Sequence, residues 1–235
     1  MDLEFMRQTA WELLQGVPLT LQLTIIPVSC GALLACLITY MRLSPFRALK
    51  TTARLYVFII RGTPLLIQIF LIYYGLGQFR VTLQEWGVWL FFREPFWCAL
   101  LALTLNTGAY GSEIVRGGID SVPYQQLEAG RAYGMSGLLL MRRVIFPQAL
   151  RQALPAYGNE IILLLKATSL CSIITMMEVT GIAARLITET FRSLEVFIIA
   201  GAIYLTLNFA IENLVALFER IATPETRIKP PIAQQ

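Results

Sequence analysis

Long apolar runs alternate with short basic stretches along this chain. Five of the runs are long enough to cross a hydrocarbon core, which takes ~20 residues of helix. They cover about 17–41, 55–77, 96–116, 152–177 and 196–220. The pattern predicts an all-α polytopic membrane protein with five transmembrane helices. Pro27 is expected to kink the first span, and Arg61, Gly62 and Pro64 fall in the first turns of the second. Ahead of the first span, Leu3, Met6, Ala10, Leu13 and Leu14 share one helical face. With Trp11 as an interface anchor, they predict an amphipathic helix. The aromatic stretch 84–97 is too short to cross and predicts an outer-interface helix. The polar, Pro-rich tail 223–235 is expected to be mobile.

Charge then orients the chain. The 42–54 loop holds Arg42, Arg47, Lys50 and Arg54 with no acid. The 117–151 loop holds Arg131, Arg142, Arg143 and Arg151 against Asp120 and Glu128, and the tail adds Arg227 and Lys229 beside Glu225. The 78–95 loop balances Arg80 and Arg93 against Glu85 and Glu94, and the 178–195 loop sets Arg185 and Arg192 against Glu178, Glu189 and Glu195. Basic excess marks the cytoplasmic side, so the N-terminus is expected outside and the C-terminus inside.

Composition excludes several classes. Only 14% of residues are charged, against about 25% in a soluble domain. The net charge of +4 is spent in loops between spans, which argues against nucleic acid. The chain has no histidine, which removes His-based catalysis and the usual metal sites, and no catalytic residue is assigned. Its four cysteines, Cys30, Cys36, Cys98 and Cys171, lie in apolar segments and are read as packing residues. The N-terminal stretch lacks the basic start and short apolar core of a cleaved signal.

One loop, 118–150, is too long and too helix-prone to be a simple connection. Ser121 is expected to cap a helix and Pro123 to open it. Residues 125–133 favour helix, and Gly134 suits a left-handed end. Ser136 is then expected to cap a second helix running to a break at Pro147. Two short helices with a glycine elbow make a rigid handle for a partner.

At this loop the chain resembles a known family. Glu128-Ala129, Gly134 and Val144-x-x-Pro147 resemble the loop signature of ABC importer permeases. The stretches 61–79 and 153–181 are similar to the permeases for polar and basic amino acids and opines. The resemblance implies a single permease domain over 1–235, with the type I ABC importer fold and 118–150 as its coupling-helix loop. Leu127, Glu128, Ala129, Arg131, Tyr133 and Gly134 would dock in a cytoplasmic ATPase. Two ATPases, a second permease (a homologue or a copy) and a periplasmic substrate-binding protein would complete the assembly in a bacterial inner membrane. No cofactor is expected in this chain. It has no GxxxxGK[ST] phosphate loop, so ATP and Mg would sit on the partner. Gly130 departs from the family's second Ala. It should loosen the helix by ~1 kcal/mol and remove a methyl from the docking surface.

Polar groups inside spans cost enough to imply function. Asn106, Asn159, Glu160, Lys166, Thr168 and Arg61 are the candidates for substrate binding, with Glu160 meeting a cationic end. Each has a second reading. Arg61 and Glu113 can snorkel to the interface, Asn106 can join helices, and Glu160 and Lys166 can neutralise one another. The expected function is a permease subunit importing basic or polar amino acids or opines. The alternatives are an ATP-independent transporter or channel and, less supported, a membrane enzyme.

Overall fold

The computed structural model describes residues 3–222, and the tail discussed above lies outside them. Among the described residues the architecture is helical throughout. The chain begins with α1 (Leu3–Leu14), α2 (Val17–Leu43) and α3 (Arg47–Gly62). Next come α4 (Leu65–Phe70), a π turn over Leu71–Gly75, and three short helices, α5 (Leu76–Gln78), α6 (Arg80–Glu85) and α7 (Trp89–Phe92). The 26-residue α8 (Pro95–Asp120) leads into α9 (Tyr124–Ala132) and α10 (Gly137–Leu140). A second π turn over Met141–Ile145 joins α11 (Phe146–Ala167). After a 3-10 segment over Thr168–Ile174, α12 (Val179–Thr190) and α13 (Ser193–Ala222) close the fold.

The first and fifth predicted spans correspond to α2 and α13 nearly residue for residue, and α2 continues as helix through Pro27. Among the described residues, three helical stretches are long and apolar enough to cross a membrane, and a bent pair makes a fourth. At 1.5 Å per residue α8 is about 39 Å long, ample for a crossing, but it is more polar than the others. Its small and polar residues are sheltered by the neighbouring helices. A Cβ on Gly31 of α2 would meet Thr107 of α8 at 2.8 Å, and one on Gly111 would meet Ala35 at 3.0 Å. Close approach through small residues is what joins helices where lipid is as apolar as leucine. Thr39 donates to the Ser112 carbonyl at 3.1 Å across the same contact.

Four expectations need correction. The second span is not continuous. Residue 63 precedes proline and is driven extended (φ −120°, ψ 145°), so α3 ends and the chain turns by 106° into α4. Most of the 42–54 loop is the first half of α3. The second loop helix does not break at Pro147. That proline lies at the start of α11, directly after the π turn Met141–Ile145, and the helical path runs on over 137–174. The 178–195 loop is mostly α12. Glu178, counted above as a loop acid, is fully buried and caps it, accepting from Thr180 N at 2.9 Å and Gly181 N at 2.8 Å.

Two larger clusters hold the bundle, and a small one of Ile38, Ala53 and Val57 joins α2 to α3. One gathers Leu23, Ile69, Leu103, Leu164, Cys171 and Ile174 from α2, α4, α8, α11 and the 3-10 segment. The other packs α1 on α12 and α13 through Leu13, Val179, Leu186 and Val196, with Met6 and Ala10 alongside. Leu3, on the predicted face of α1, stays exposed. Cys98 and Cys171 are core residues as expected, whereas Cys30 and Cys36 face outward on α2. The 84–97 stretch is an aromatic surface around two short helices rather than one, with Phe91 stacked on Trp97 at 4.5 Å.

Candidate functional site

The turn between α3 and α4 creates a cavity. Breaking a helix leaves carbonyls without partners. Here the buried Gln68 amide donates to the Ile60 and Thr63 carbonyls at 2.7 and 3.1 Å. Its oxygen accepts from Asn106 Nδ2 of α8 at 3.3 Å. Tyr56 ties α3 to α8 by donating to the Leu105 carbonyl at 2.6 Å, and Tyr157 ties α11 to α2 through the Val28 carbonyl at 3.0 Å. The turn is held off α8 and α11, leaving a space of about 460 Å³ between them. Arg61 and Thr63 line it from the turn, Asn106 and Tyr110 from α8, and Glu160 from α11.

Helical spacing decides which polar residues meet. The α11 residues on the cavity wall are 160, 163, 164 and 167, one face at i, i+3, i+4 and i+7. Three of the six candidates, Arg61, Asn106 and Glu160, therefore come together. The other three do not. Asn159 is one residue off that face and lines a groove toward α13 with Glu212 and Glu219. Lys166 lines another groove with Ser169, Thr180 and Tyr204, so it does not neutralise Glu160. Thr168 is fully buried and spends its hydroxyl on the Leu165 carbonyl at 2.7 Å.

Arg61 and Glu160 give the cavity one cationic and one anionic side chain. Glu160 is 9% exposed. The Arg61 guanidinium lies over the Tyr110 ring at 5.1 Å. Tyr110, Thr63 and Gln68 were missed in the sequence. Tyr110 was legible as the residue one turn from Asn106, whereas Thr63 and Gln68 matter only because the helix bends.

The predicted elbow is present, with altered roles. Gly134 adopts φ +77°, the left-handed turn expected of it. Ser121 does not cap α9. Its hydroxyl donates to the Gly118 carbonyl at 2.7 Å, finishing α8, and Pro123 takes the cap position. Ser136 is at the next cap position but makes no capping bond. Gly130 is buried inside the elbow rather than on its outer surface. A Cβ there would meet Leu140 Cδ1 at 2.6 Å, so this glycine lets α9 close onto α10. Glu128, Ala129, Arg131, Tyr133 and Gly134 are exposed and Leu127 is half-buried. Tyr124 and the 82% exposed Leu138 extend the outward surface beyond the predicted residues.

Residues 28–222 match the family described as binding-protein-dependent transport system inner membrane component. The chain belongs to this family. It is 52% identical over 229 residues to the nopaline transport system permease protein NocM of Agrobacterium fabrum, covering 97% of this chain and 95% of that one. It is 54% identical over 223 residues to the octopine permease protein OccM of Rhizobium meliloti, covering 95% and 91%. Against the histidine/lysine/arginine/ornithine permease protein HisM of Salmonella typhimurium, identity is 40% over 205 residues, covering 87% and 86%. A crystal structure of an amino acid ABC transporter with histidines superposes with a TM-score of 0.83 at 37% identity, over 94% of this chain and 98% of that one. The protein is thus an all-α ABC permease of the inner membrane, with ATPase and substrate-binding partners implied by its family. Family membership favours the importer over an ATP-independent transporter or a membrane enzyme.

Proposed function

We propose that this permease imports basic amino acids or opines built on them, binding the substrate in the cavity between the α3–α4 turn, α8 and α11. The carrying observation is the pairing of Arg61 and Glu160 in one space of about 460 Å³. An amino acid brings a carboxylate and a basic side chain brings a cation. Arg61 offers a fork that matches a carboxylate, and Glu160 answers the cation. Asn106 and Tyr110 supply the polar wall between them. The relatives named for nopaline, octopine and the cationic amino acids support this choice. Lys166, Asn159 and Thr168 take no part in this reading.

The chain acts as one permease domain over 1–235 that crosses the membrane five times. The bent α3–α4 pair is one crossing and the sheltered α8 another. The basic segments put the N-terminus outside and the elbow in the cytoplasm. The 118–150 loop is the coupling element, and Glu128, Arg131 and Tyr133 meet a groove of the ATPase. Two ATPases, which hold ATP and Mg, draw two such loops together. A second permease and a periplasmic binding protein complete the importer. A rigid elbow passes motion rather than absorbing it, and the closure of Gly130 against Leu140 supplies that rigidity.

Uptake in proteoliposomes holding the complete importer tests this reading. Labelled arginine, ornithine, octopine and a neutral amino acid are each supplied with the binding protein. Glu160→Gln is expected to abolish most cationic uptake while ATPase assembly survives. Equal uptake by the variant and the parent would overturn the assignment of the cavity.

A further inference from the structure

Just outside the cavity lies a cluster of charges that the binding reading leaves unused. Glu113 is on the same face of α8 as Asn106 and Tyr110. Its Oε1 accepts from Arg42 Nη1 of α2 at 2.6 Å, and its Oε2 accepts from Arg116 at 2.8 and 3.1 Å. The third cation is Arg61 itself, whose Nη1 lies 3.7 Å from Oε1. That is an ion pair but too long for a good hydrogen bond. Arg61 is therefore the loosest of three guanidiniums around one carboxylate. It is also the only one of the three that lines the cavity. Arg116 in turn donates to Asp120 at 2.6 Å, and Asp120 is the last residue of α8. The elbow helix α9 starts four residues later, at Tyr124. An unbroken chain of charged contacts thus runs from the cavity wall to the base of the elbow.

We infer that Glu113 and the substrate carboxylate compete for Arg61, and that Glu113 thereby reports cavity occupancy to the elbow. The inference rests on the cavity reading above. In the empty permease Arg61 is shared between the cavity and Glu113. A bound carboxylate offers two oxygens to the guanidinium fork, a better partner than one oxygen at 3.7 Å. Arg61 moves to the substrate, and Glu113 is left to Arg42 and Arg116 alone. Arg116 tightens on Glu113 and loosens from Asp120, at the point where α8 hands over to the loop. Glu113 touches no substrate in this scheme; it positions Arg61. The Glu113 side chain is 20% exposed and that of Asp120 56%, so the outer link is the freer one to rearrange.

The test is a double-mutant cycle in detergent on the assembled permeases and ATPases, with the binding protein left out for the Kd and added for the ATPase. The Kd for labelled arginine, or octopine where the uptake panel selects it, is measured together with substrate stimulation of the ATPase. Arg61→Gln is expected to weaken binding about tenfold. Glu113→Gln is expected to tighten it several-fold, because the competitor is gone, and to abolish stimulation. In the Arg61→Gln background, Glu113→Gln is expected to leave Kd unchanged. Asp120→Asn, on an exposed site, is expected to leave Kd alone and to cut stimulation by at least half. An unchanged Kd in Arg61→Gln overturns the cavity reading and this inference with it. A Glu113→Gln variant that binds no tighter, or that shifts Kd equally in both backgrounds, overturns this inference alone. Where Glu113→Gln does not assemble, full stimulation in Asp120→Asn overturns the link to the elbow.

Discussion

The cavity and the elbow are opposite kinds of site. The elbow is one contiguous stretch of chain, exposed, and shaped by local backbone signals. The cavity is assembled from three distant segments, open on one side, and shaped by a bend that one proline imposes. They differ in what holds them, too. The elbow closes by a glycine that lets two helices touch. The cavity is held open by a buried glutamine that repairs a broken helix. The contrast teaches that an exposed elbow can be specified locally, whereas a polar cavity between helices needs the whole bundle.

Mutations are expected to separate the two sites. The largest effect is expected from Glu160→Gln, with cationic uptake falling by tenfold or more and neutral uptake falling less. A carboxylate facing a cation in a low dielectric is worth at least that factor. Assembly with the ATPase, followed by co-purification, is expected to be unaffected. Glu128→Lys is expected to do the reverse. It reverses a charge on the exposed face of α9, so ATPase co-purification and uptake fall together, while the Kd for substrate and membrane insertion hold. A Glu128→Lys complex that assembles and transports fully would remove Glu128 from the docking surface.

Smaller effects probe the supports. Gln68→Leu keeps the volume but leaves the Ile60 and Thr63 carbonyls and Asn106 without their partner, at a cost of about 1–3 kcal/mol. A lowered melting temperature in detergent with weakened substrate binding is expected, with ATPase co-purification preserved. The least effect is expected from Gly134→Ala, which places a Cβ at φ +77° for about 1–2 kcal/mol. Faster proteolysis at the elbow is the readout, with the Kd for substrate unchanged. A substrate Kd that moved with Gly134→Ala would join the two sites energetically at a place the contacts do not.

The legibility of each part follows the same division. Spans α2 and α13 and the turn at Gly134 were readable because apolar runs and a left-handed glycine act locally. Most of the residues expected to dock lie exposed on the elbow, yet Gly130 was assigned to the wrong face. Its role depends on Leu140, which no helical period connects to it. In α11, Glu160 was picked with Asn159 and Lys166 as one polar group. The 100° step between successive helical residues sends them to three different surroundings. The α3–α4 break was hidden because both halves are apolar enough to read as one span. Thr63-Pro64 was the signal present for it. Glu178 looked like a loop acid because its burial as the cap of α12 depends on contacts made elsewhere, including a 2.7 Å bond from the Tyr204 hydroxyl of α13.

One cavity is proposed to hold both ends of the substrate. The most direct test is a structure of the complete importer, determined with arginine or octopine bound. The expected ligand has its carboxylate on Arg61 and its cation on Glu160, with Asn106 and Tyr110 along its side. A ligand seated instead in the Lys166 groove beside Thr180 and Tyr204, with the Arg61–Glu160 space empty, would contradict it.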